Sequence, residues 1–264
     1  MLVGPGPSET EELIDWDGPD VAALLADRLE TVSPLGRRLS TTDAAIAWSR
    51  GHDLARALAR RVPRVLFHDP SPREGVPASV WLAEPVRALG ADPTPLPPDL
   101  EPTPGEEAAA APWLARLPSR FLAVHPGSGS PAKNWPAERF RGLADLVSRD
   151  RPWLLVEGPA DGEAAAPLRR HRGAVGARGL PPRVLGALLG RAGLYVGNDS
   201  GVSHLAAAFG APTLALFGPT DPATWAPVGR AVIALRSPDG ETAGLALEAA
   251  AEAAARLTSP ARAC

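Results

Sequence analysis

The chain has 264 residues, 45% hydrophobic and 22% charged, with a formal net charge of −3, enough to bury one large α/β core or two smaller ones. Its 27 basic residues are outweighed by 30 acidic ones, which argues against a nucleic-acid footprint; the single cysteine, Cys264, excludes a disulfide framework and a cysteine-based zinc site. No apolar run approaches the ~20 residues of a bilayer span, and the opening MLVGPGPSETEEL lacks the basic and apolar regions of a signal peptide, so the expected location is cytoplasmic.

Along the chain, short aliphatic runs alternate with Ala/Leu/Arg-rich stretches of helical spacing. The first part predicts a helix at Asp20–Glu30, a weak strand at Ala44–Trp48, a helix at Asp53–Arg61, a strand at Arg64–Phe67 and a helix at Ala78–Leu89. Then ADPTPLPPDLEPTPG, Ala91 to Gly105, breaks the rhythm, because proline removes backbone donors and resists helix and sheet alike. It reads as a semi-rigid linker between an N-terminal domain, 1–105, and a C-terminal domain, 106–264, with a ligand cleft expected between them. Beyond it come a helix at Glu106–Arg116, a strand at Phe121–His125, a helix at Ala137–Arg149, a strand at Trp153–Val156 and helices at Gly162–Arg170 and Pro182–Arg191. A strand at Leu194–Gly197, a helix at Val202–Phe209, strands at Thr213–Phe217 and Ala231–Leu235 and a helix at Glu241–Arg256 complete the pattern. Strands separated by such helices imply right-handed crossovers and a parallel sheet.

Rare residues point to chemistry. Lys133 is the only lysine, Asn134 and Asn198 are the only asparagines, and glutamine is absent, a bias that looks like that of a GC-rich genome. A lysine or asparagine kept against that bias invites a chemical reason.

Two segments carry such residues. In FLAVHPGSGSPAKNWPAERF, Phe121 to Phe140, a strand enters a Gly/Ser loop, then Lys133, then a helix opening at Trp135-Pro136. Such a loop lets backbone N–H groups approach an anion, and the lysine adds a mobile charge for phosphate oxygens. The spacing is not that of a Walker P-loop, and the string also reads as an ordinary βα turn with a solvated lysine. In LYVGNDSGVSHLAAAFGAPTLALFGPTDPATWAP, Leu194 to Pro227, strand, NDSG turn, short helix, strand and FGPTDP turn form a βαβ unit. Asp199 or Ser200 could simply cap the helix that starts at Gly201. The functional reading sets the Ser200 and Gly201 amides against a diphosphate, Asp199 against sugar hydroxyls, and His204 one turn into the helix beside them.

Together these strings resemble the C-terminal half of glycosyltransferase family 9, the lipopolysaccharide heptosyltransferases, which show an HPG-S-…K-WP segment followed by GND[ST]G-x-x-HLAAA and FGPTDP. The resemblance covers Phe121 to Pro227 well and extends weakly through the first half. It implies a GT-B fold: α/β, with two Rossmann-like domains facing a cleft and the nucleotide-sugar held mainly by the second. By motif position, Gly127 and Ser128 would line the phosphate loop, and Lys133 would pair with the donor diphosphate or sugar. Asp199, Ser200, Gly201 and His204 would hold the sugar and diphosphate. In LLVEGPADGEAA, Asp161 would contact the nucleoside, with Glu157 the second choice. The implied donor is ADP-L-glycero-D-manno-heptose, the acceptor a saccharide or lipid-linked saccharide of the lipid A core. Transfer would need no metal and no cofactor beyond the donor, with peripheral contact at the inner membrane. Trp135 is expected under the donor, with Trp225 shaping the same wall.

The family also carries an N-terminal R-x-G-x-[LI]-GD loop whose aspartate is its proposed general base. This sequence opens at a string resembling the family's second strand, about 35 residues later, so an incomplete N-terminal domain is expected and no residue here is assigned as the base. A shortened reading frame, a natural short form and loss of catalysis each fit. The expectation is a chain that binds an ADP-sugar yet transfers slowly or not at all. A non-catalytic nucleotide-sugar-binding protein is the alternative, and a GT-B-type epimerase the more distant one. Asp15 and Asp17 form a DWD string superficially like a metal motif, in a turn-like stretch. His68 and Asp69, at a strand end, read either as an acceptor contact or as a satisfied turn.

Overall fold

The computed structural model describes residues 14–92 and 98–259. They form two compact units, residues 14–92 and 98–259. The division falls inside the proline-rich stretch, and its second half belongs to the C-terminal unit: the Leu100 amide donates to the Ala208 carbonyl at 2.9 Å. Thr103 then caps the next helix, accepting from the Glu106 amide while Glu106 accepts from the Thr103 amide. The 1–105 boundary therefore sits about ten residues too late.

The N-terminal unit contains helices α1 (Pro19–Leu25) and α2 (Pro34–Ser40), strand β1 (Ala44–Trp48), helix α3 (Asp53–Ala59), strand β2 (Arg64–His68) and helix α4 (Ala78–Arg87). Strands β1 and β2 pair in parallel, Ala44 opposite Arg64 through Trp48 opposite His68. Helix α1 ends five residues before the expected Glu30. Asp27 adopts a left-handed φ of 57°, the Arg28 amide reaches the Ala23 carbonyl and the Asp27 amide the Leu24 carbonyl, which is a Schellman stop. Ser33 then caps α2, which the spacing did not suggest. The core here is small: Val21, Leu24, Leu35, Leu39, Ala47, Leu58 and Val62 are among its buried members. The strand and loop assigned to the opening string fall, for residues 1–13, outside the described residues.

The C-terminal unit runs α5 (Pro104–Leu114), β3 (Leu122–His125), α6 (Ala137–Ser148), β4 (Trp153–Glu157), α7 (Gly162–Ala165), β5 (Ala174–Arg178), α8 (Pro182–Leu189), β6 (Leu194–Asn198), α9 (Gly201–Ala208), β7 (Thr213–Phe217), α10 (Pro222–Trp225), β8 (Val232–Arg236) and α11 (Leu247–Thr258). Helix α7 stops well short of Arg170, because Pro167 has no N–H with which to extend it. All five strand pairings are parallel, in the order β5-β4-β3-β6-β7-β8. Alternate strand residues feed two cores. Leu122, Val124, Trp153, Leu155 and Val196 pack with α6 and α11 on one face; Ala123, Leu154, Val156 and Tyr195 pack with α5, α8 and α9 on the other.

This order places the first strand of the unit, β3, at the centre. Its crossovers lead to β4 and β5 on one side, whereas β6, β7 and β8 follow on the other. The direction in which successive strands are added thus reverses between β3 and β6, and such a switch point, at the carboxyl ends of the strands, is where α/β sheets bind ligands. Both singled-out segments run through these strands, and their loops start at those carboxyl ends.

Candidate functional site

The loop after β3 and the turn after β6 are held together by the two asparagines. Asn198 is fully buried at the end of β6; its Nδ2 donates to the Pro126 carbonyl at 2.8 Å and its Oδ1 accepts from the Trp135 amide at 3.0 Å. Asn134 Oδ1 lies 2.7 Å from the Ser128 hydroxyl, which lies equally close to the Ser130 carbonyl. Ser128 therefore turns its side chain into its own loop and shapes the path of the Gly127–Gly129 backbone. The only two amide side chains of the protein both serve this loop.

Lys133 ends a single 3₁₀ turn, Pro131–Lys133, and reaches across the crevice to Asp199, with Nζ 2.7 Å from Oδ2. Thr220, from the FGPTDP turn after β7, donates to the same oxygen at 2.8 Å. Asp199 is thus a buried carboxylate held by one cation and one hydroxyl, and Lys133 keeps partial access to solvent. The Thr220 contact was detectable only as part of the FGPTDP string, whose threonine has no distinguishing spacing of its own.

Neither capping alternative for α9 is realised. Ser200 occupies the N-cap with extended backbone, φ −156° and ψ 161°, yet no side chain among the described residues caps the helix. Its first-turn N–H groups therefore lack the usual side-chain acceptor, and a methyl group placed on Gly201 would meet nothing within 4 Å. Ser200 instead directs its hydroxyl toward His125 Nδ1, 3.3 Å away. His204, one turn on, is exposed at the surface, but crowding around its ring pulls its pKa below 6.5 by loss of hydration. The Asp199 charge and a hydrogen bond to the Trp225 backbone oppose that shift.

The carboxylates of the β4–α7 turn have their own partners. Asp161 Oδ2 lies 2.8 Å from His125 Nε2 and accepts from the Gly158 amide at 2.6 Å, while a methyl group on Gly127 would overlap Oδ1. The His125 hydrogen bond, followed by that from Gly158, holds the Asp161 carboxyl below its ordinary 3.8 against the effect of burial. Glu157 is engaged by Arg169 through Nε at 2.9 Å and Nη2 at 2.6 Å. Glu163, exposed in the first turn of α7, has no ion pair among the described residues. Asp161 and Glu157 are therefore internally satisfied, and the free carboxylate of the turn is one that sequence reasoning passed over.

Trp135 is not a donor platform. It is 2% exposed, stacks edge-on against Phe140 at 5.0 Å and donates from Nε1 to the Leu245 carbonyl, all within the core. Trp225 is partly exposed beside α9. In the N-terminal unit, Asp15 accepts from the Asp17 amide, a turn contact. Asp69 accepts from the Ser71 amide at 2.8 Å, and its carbonyl accepts from Trp81 Nε1. His68 packs on Trp81 at 4.6 Å, and its buried Nε2 has no hydrogen-bond partner among the described residues.

A parallel sheet in this order thus gathers a glycine loop, the lone lysine and the α9 terminus at its switch point. The sequence profile of glycosyltransferase family 9 (heptosyltransferase) matches residues 50–253. The chain belongs to that family. Lipopolysaccharide heptosyltransferase 1 of Escherichia coli O18:K1:H7 is 28% identical over 153 residues, 56% of this chain but 47% of the relative, so the match spans about half of that protein's length. A family 9 glycosyltransferase from Veillonella parvula superimposes with a TM-score of 0.76 at 21% identity, over 90% of this chain and 78% of that one. An E. coli heptosyltransferase solved with ADP gives 0.63 at 20% identity, over 90% and 78%. The family 9 chain shares the α/β, GT-B-type fold of these proteins.

Proposed function

We propose that the C-terminal unit binds the ADP-sugar donor, an ADP-heptose, of a lipopolysaccharide heptosyltransferase acting at the cytoplasmic face of the membrane. The observation that carries this reading is the Lys133–Asp199 pair, facing an α9 terminus that no side chain among the described residues caps. A diphosphate attracts Lys133 away from Asp199, and the helix amides and the Gly127–Gly129 backbone offer it further donors. Asp199, once released, accepts from sugar hydroxyls, with Thr220 and His204 beside it. Glu163 is suited to the ribose hydroxyls of the nucleoside. The ADP bound to the E. coli heptosyltransferase supports the choice of nucleotide.

Transfer is then a displacement at the anomeric carbon. The acceptor oxygen, deprotonated by a base, bonds to that carbon while its bond to the diphosphate oxygen breaks. Negative charge grows on the departing ADP, and Lys133 with the helix amides opposes it, which is the work a divalent cation does in other transferases. The N-terminal unit takes the acceptor, a saccharide or lipid-linked saccharide of the lipopolysaccharide core.

Calorimetric titration of ADP into the chain tests the donor site. Saturable binding is expected, weakened about tenfold to a hundredfold by Lys133→Ala, the worth of one charge-assisted contact. Absence of binding to folded protein, or an unchanged affinity in the variant, would remove the basis of the assignment.

A further inference from the structure

The donor site contains a buried hydrogen-bonded string that binding of charge by Lys133 does not explain. His125, at the end of β3, is 3% exposed, and its two ring nitrogens meet different partners. Nε2 faces Asp161 Oδ2 at 2.8 Å and Nδ1 faces Ser200 Oγ at 3.3 Å. Asp161 is pinned by the Gly158 amide and by the glycine at 127. Ser200 holds an N-cap position where a serine ordinarily accepts from a first-turn amide, yet it is directed at the imidazole instead.

Hydrogens can run along this string in two ways. An ionised carboxylate only accepts, so Nε2 carries a hydrogen in either case. When the imidazole is neutral, Nδ1 is a bare acceptor and takes the Ser200 hydrogen, leaving Oγ with lone pairs alone for a ligand. When the imidazole is protonated, Nδ1 donates to Oγ, and the hydroxyl hydrogen is free to turn to a phosphate oxygen.

The geometry points to His125 as a proton-linked positioning residue of the donor site: a nucleoside diphosphate binds with uptake of a proton at His125 Nδ1, which converts Ser200 into a hydrogen-bond donor toward the ligand. This rests on the donor assignment made above. The proton comes from solvent and returns to it on release, and only hydrogen bonds change.

The surrounding charges favour the switch. The titratable and charged groups on neighbouring elements are Asp161 on the β4–α7 turn, Glu157 at the end of β4 with Arg169, Asp199 after β6 with Lys133, and Tyr195 on β6. Glu157 and Asp199 each have a cation of their own. Burial pushes the Tyr195 hydroxyl pKa up, so it stays neutral, bonded to Ser203 at 3.1 Å and also within reach of Ser200. Among the described residues Asp161 has only His125 as a cationic partner, and an arriving diphosphate adds negative charge on the other side of the ring. The imidazolium then gains value as charge accumulates on the departing ADP.

The test is ADP titration at about pH 8, where an ordinary histidine is neutral, in two buffers of different ionisation enthalpy. The wild type is expected to take up close to one proton per ADP. His125→Gln keeps a donor toward Asp161 but cannot take a second proton; it should bind about tenfold more weakly and without that uptake. Ser200→Ala, which removes only a partly exposed hydroxyl, should weaken ADP about tenfold at about pH 6.5 and hardly at all at about pH 9. No uptake by the wild type, equal uptake in His125→Gln, or a Ser200→Ala penalty independent of pH would overturn the proposal while leaving the donor site in place. Failure of ADP to bind the folded wild type would defeat the donor assignment, and this inference with it.

Discussion

Strands β4 and β2 are built from similar residues, WLLVE and RVLFH, yet every residue of β4 is buried and no residue of β2 is. The reason is the number of covered surfaces. β4 has a parallel neighbour on each side, and its alternate side chains enter two separate cores. Among the described residues β2 pairs only with β1; Val65 reaches the small core, while Leu66 and His68 line an open cavity of about 470 Å³ with Trp81 and Arg73. Of the ten exposed large hydrophobic side chains among the described residues, all but Leu146 and Trp225 belong to the N-terminal unit. The candidate site, with Lys133, Asp199 and Ser200, is thus carried by the unit whose sheet is packed from both sides, as precise placement of side chains requires.

The largest expected effect tests that contrast directly. Leu155→Ala, at a side chain 1% exposed, should cost about 3 kcal/mol, whereas Leu66→Ala should cost about 1 kcal/mol because its site is already half open. Amide hydrogen exchange, read separately on β4 and β2, measures both. Equal losses would mean that the two strands are packed alike.

Next comes Gly127→Ala. The added methyl group would overlap Asp161 Oδ1, a buried carboxylate with fixed partners, so a loss of about 1–3 kcal/mol is expected together with weaker ADP binding. Chemical denaturation gives the first and calorimetry the second. A fully stable Gly127→Ala would show that the turn can yield, and the His125–Asp161 contact with it.

Acid sharpens the comparison further. Hydrogen bonds from His125 and Gly158 depress the Asp161 pKa below 3.8. A depressed carboxylate stabilises the fold fully above its unfolded value and loses that contribution as pH falls through the folded one. The advantage of the wild type over Asp161→Asn should therefore be complete above about pH 5 and shrink as the medium falls below 3.8. Thermal denaturation across that range reads it; an advantage that grows toward low pH would contradict the assigned contacts.

Much of the C-terminal unit was legible in its sequence because its strands are continuous apolar runs bounded by glycine, proline or asparagine. Strand β5, AVGAR, was missed: it is an edge strand with only Val175 and Ala177 buried, too short an alternation to stand out, and interrupted by Gly176. Helix α2 was missed because PLGRRLS has two arginines and a glycine, whose burial against the Glu30–Thr31 backbone no local pattern reveals. Within the site, Lys133, Asp199, Ser200 and Gly201 announced themselves by rarity or by helix-start chemistry. Asp161 and Trp135 were located without their partners: nothing local to GPADGE discloses that His125, 36 residues earlier, occupies its carboxylate. Asn198 stands out by rarity, but its work, joining two loops that lie far apart in sequence, is not disclosed by any local pattern.

The smallest expected effect on stability separates packing from ligand space within one loop system. Gly127 and Gly201 stand near the start of the turns after β3 and β6, but an added methyl group meets the Asp161 carboxylate at the first and empty space at the second. Gly201→Ala should therefore alter stability by no more than about 0.5 kcal/mol, since alanine suits a first helical turn as well as glycine does. If that empty space is where the diphosphate approaches the α9 amides, the same methyl group should weaken ADP about tenfold, by lengthening contacts that depend on close backbone approach. Calorimetry on a variant with unchanged melting temperature isolates the effect. Unchanged ADP affinity would place the diphosphate away from α9, leaving Lys133 and the Gly127–Gly129 loop to hold it alone.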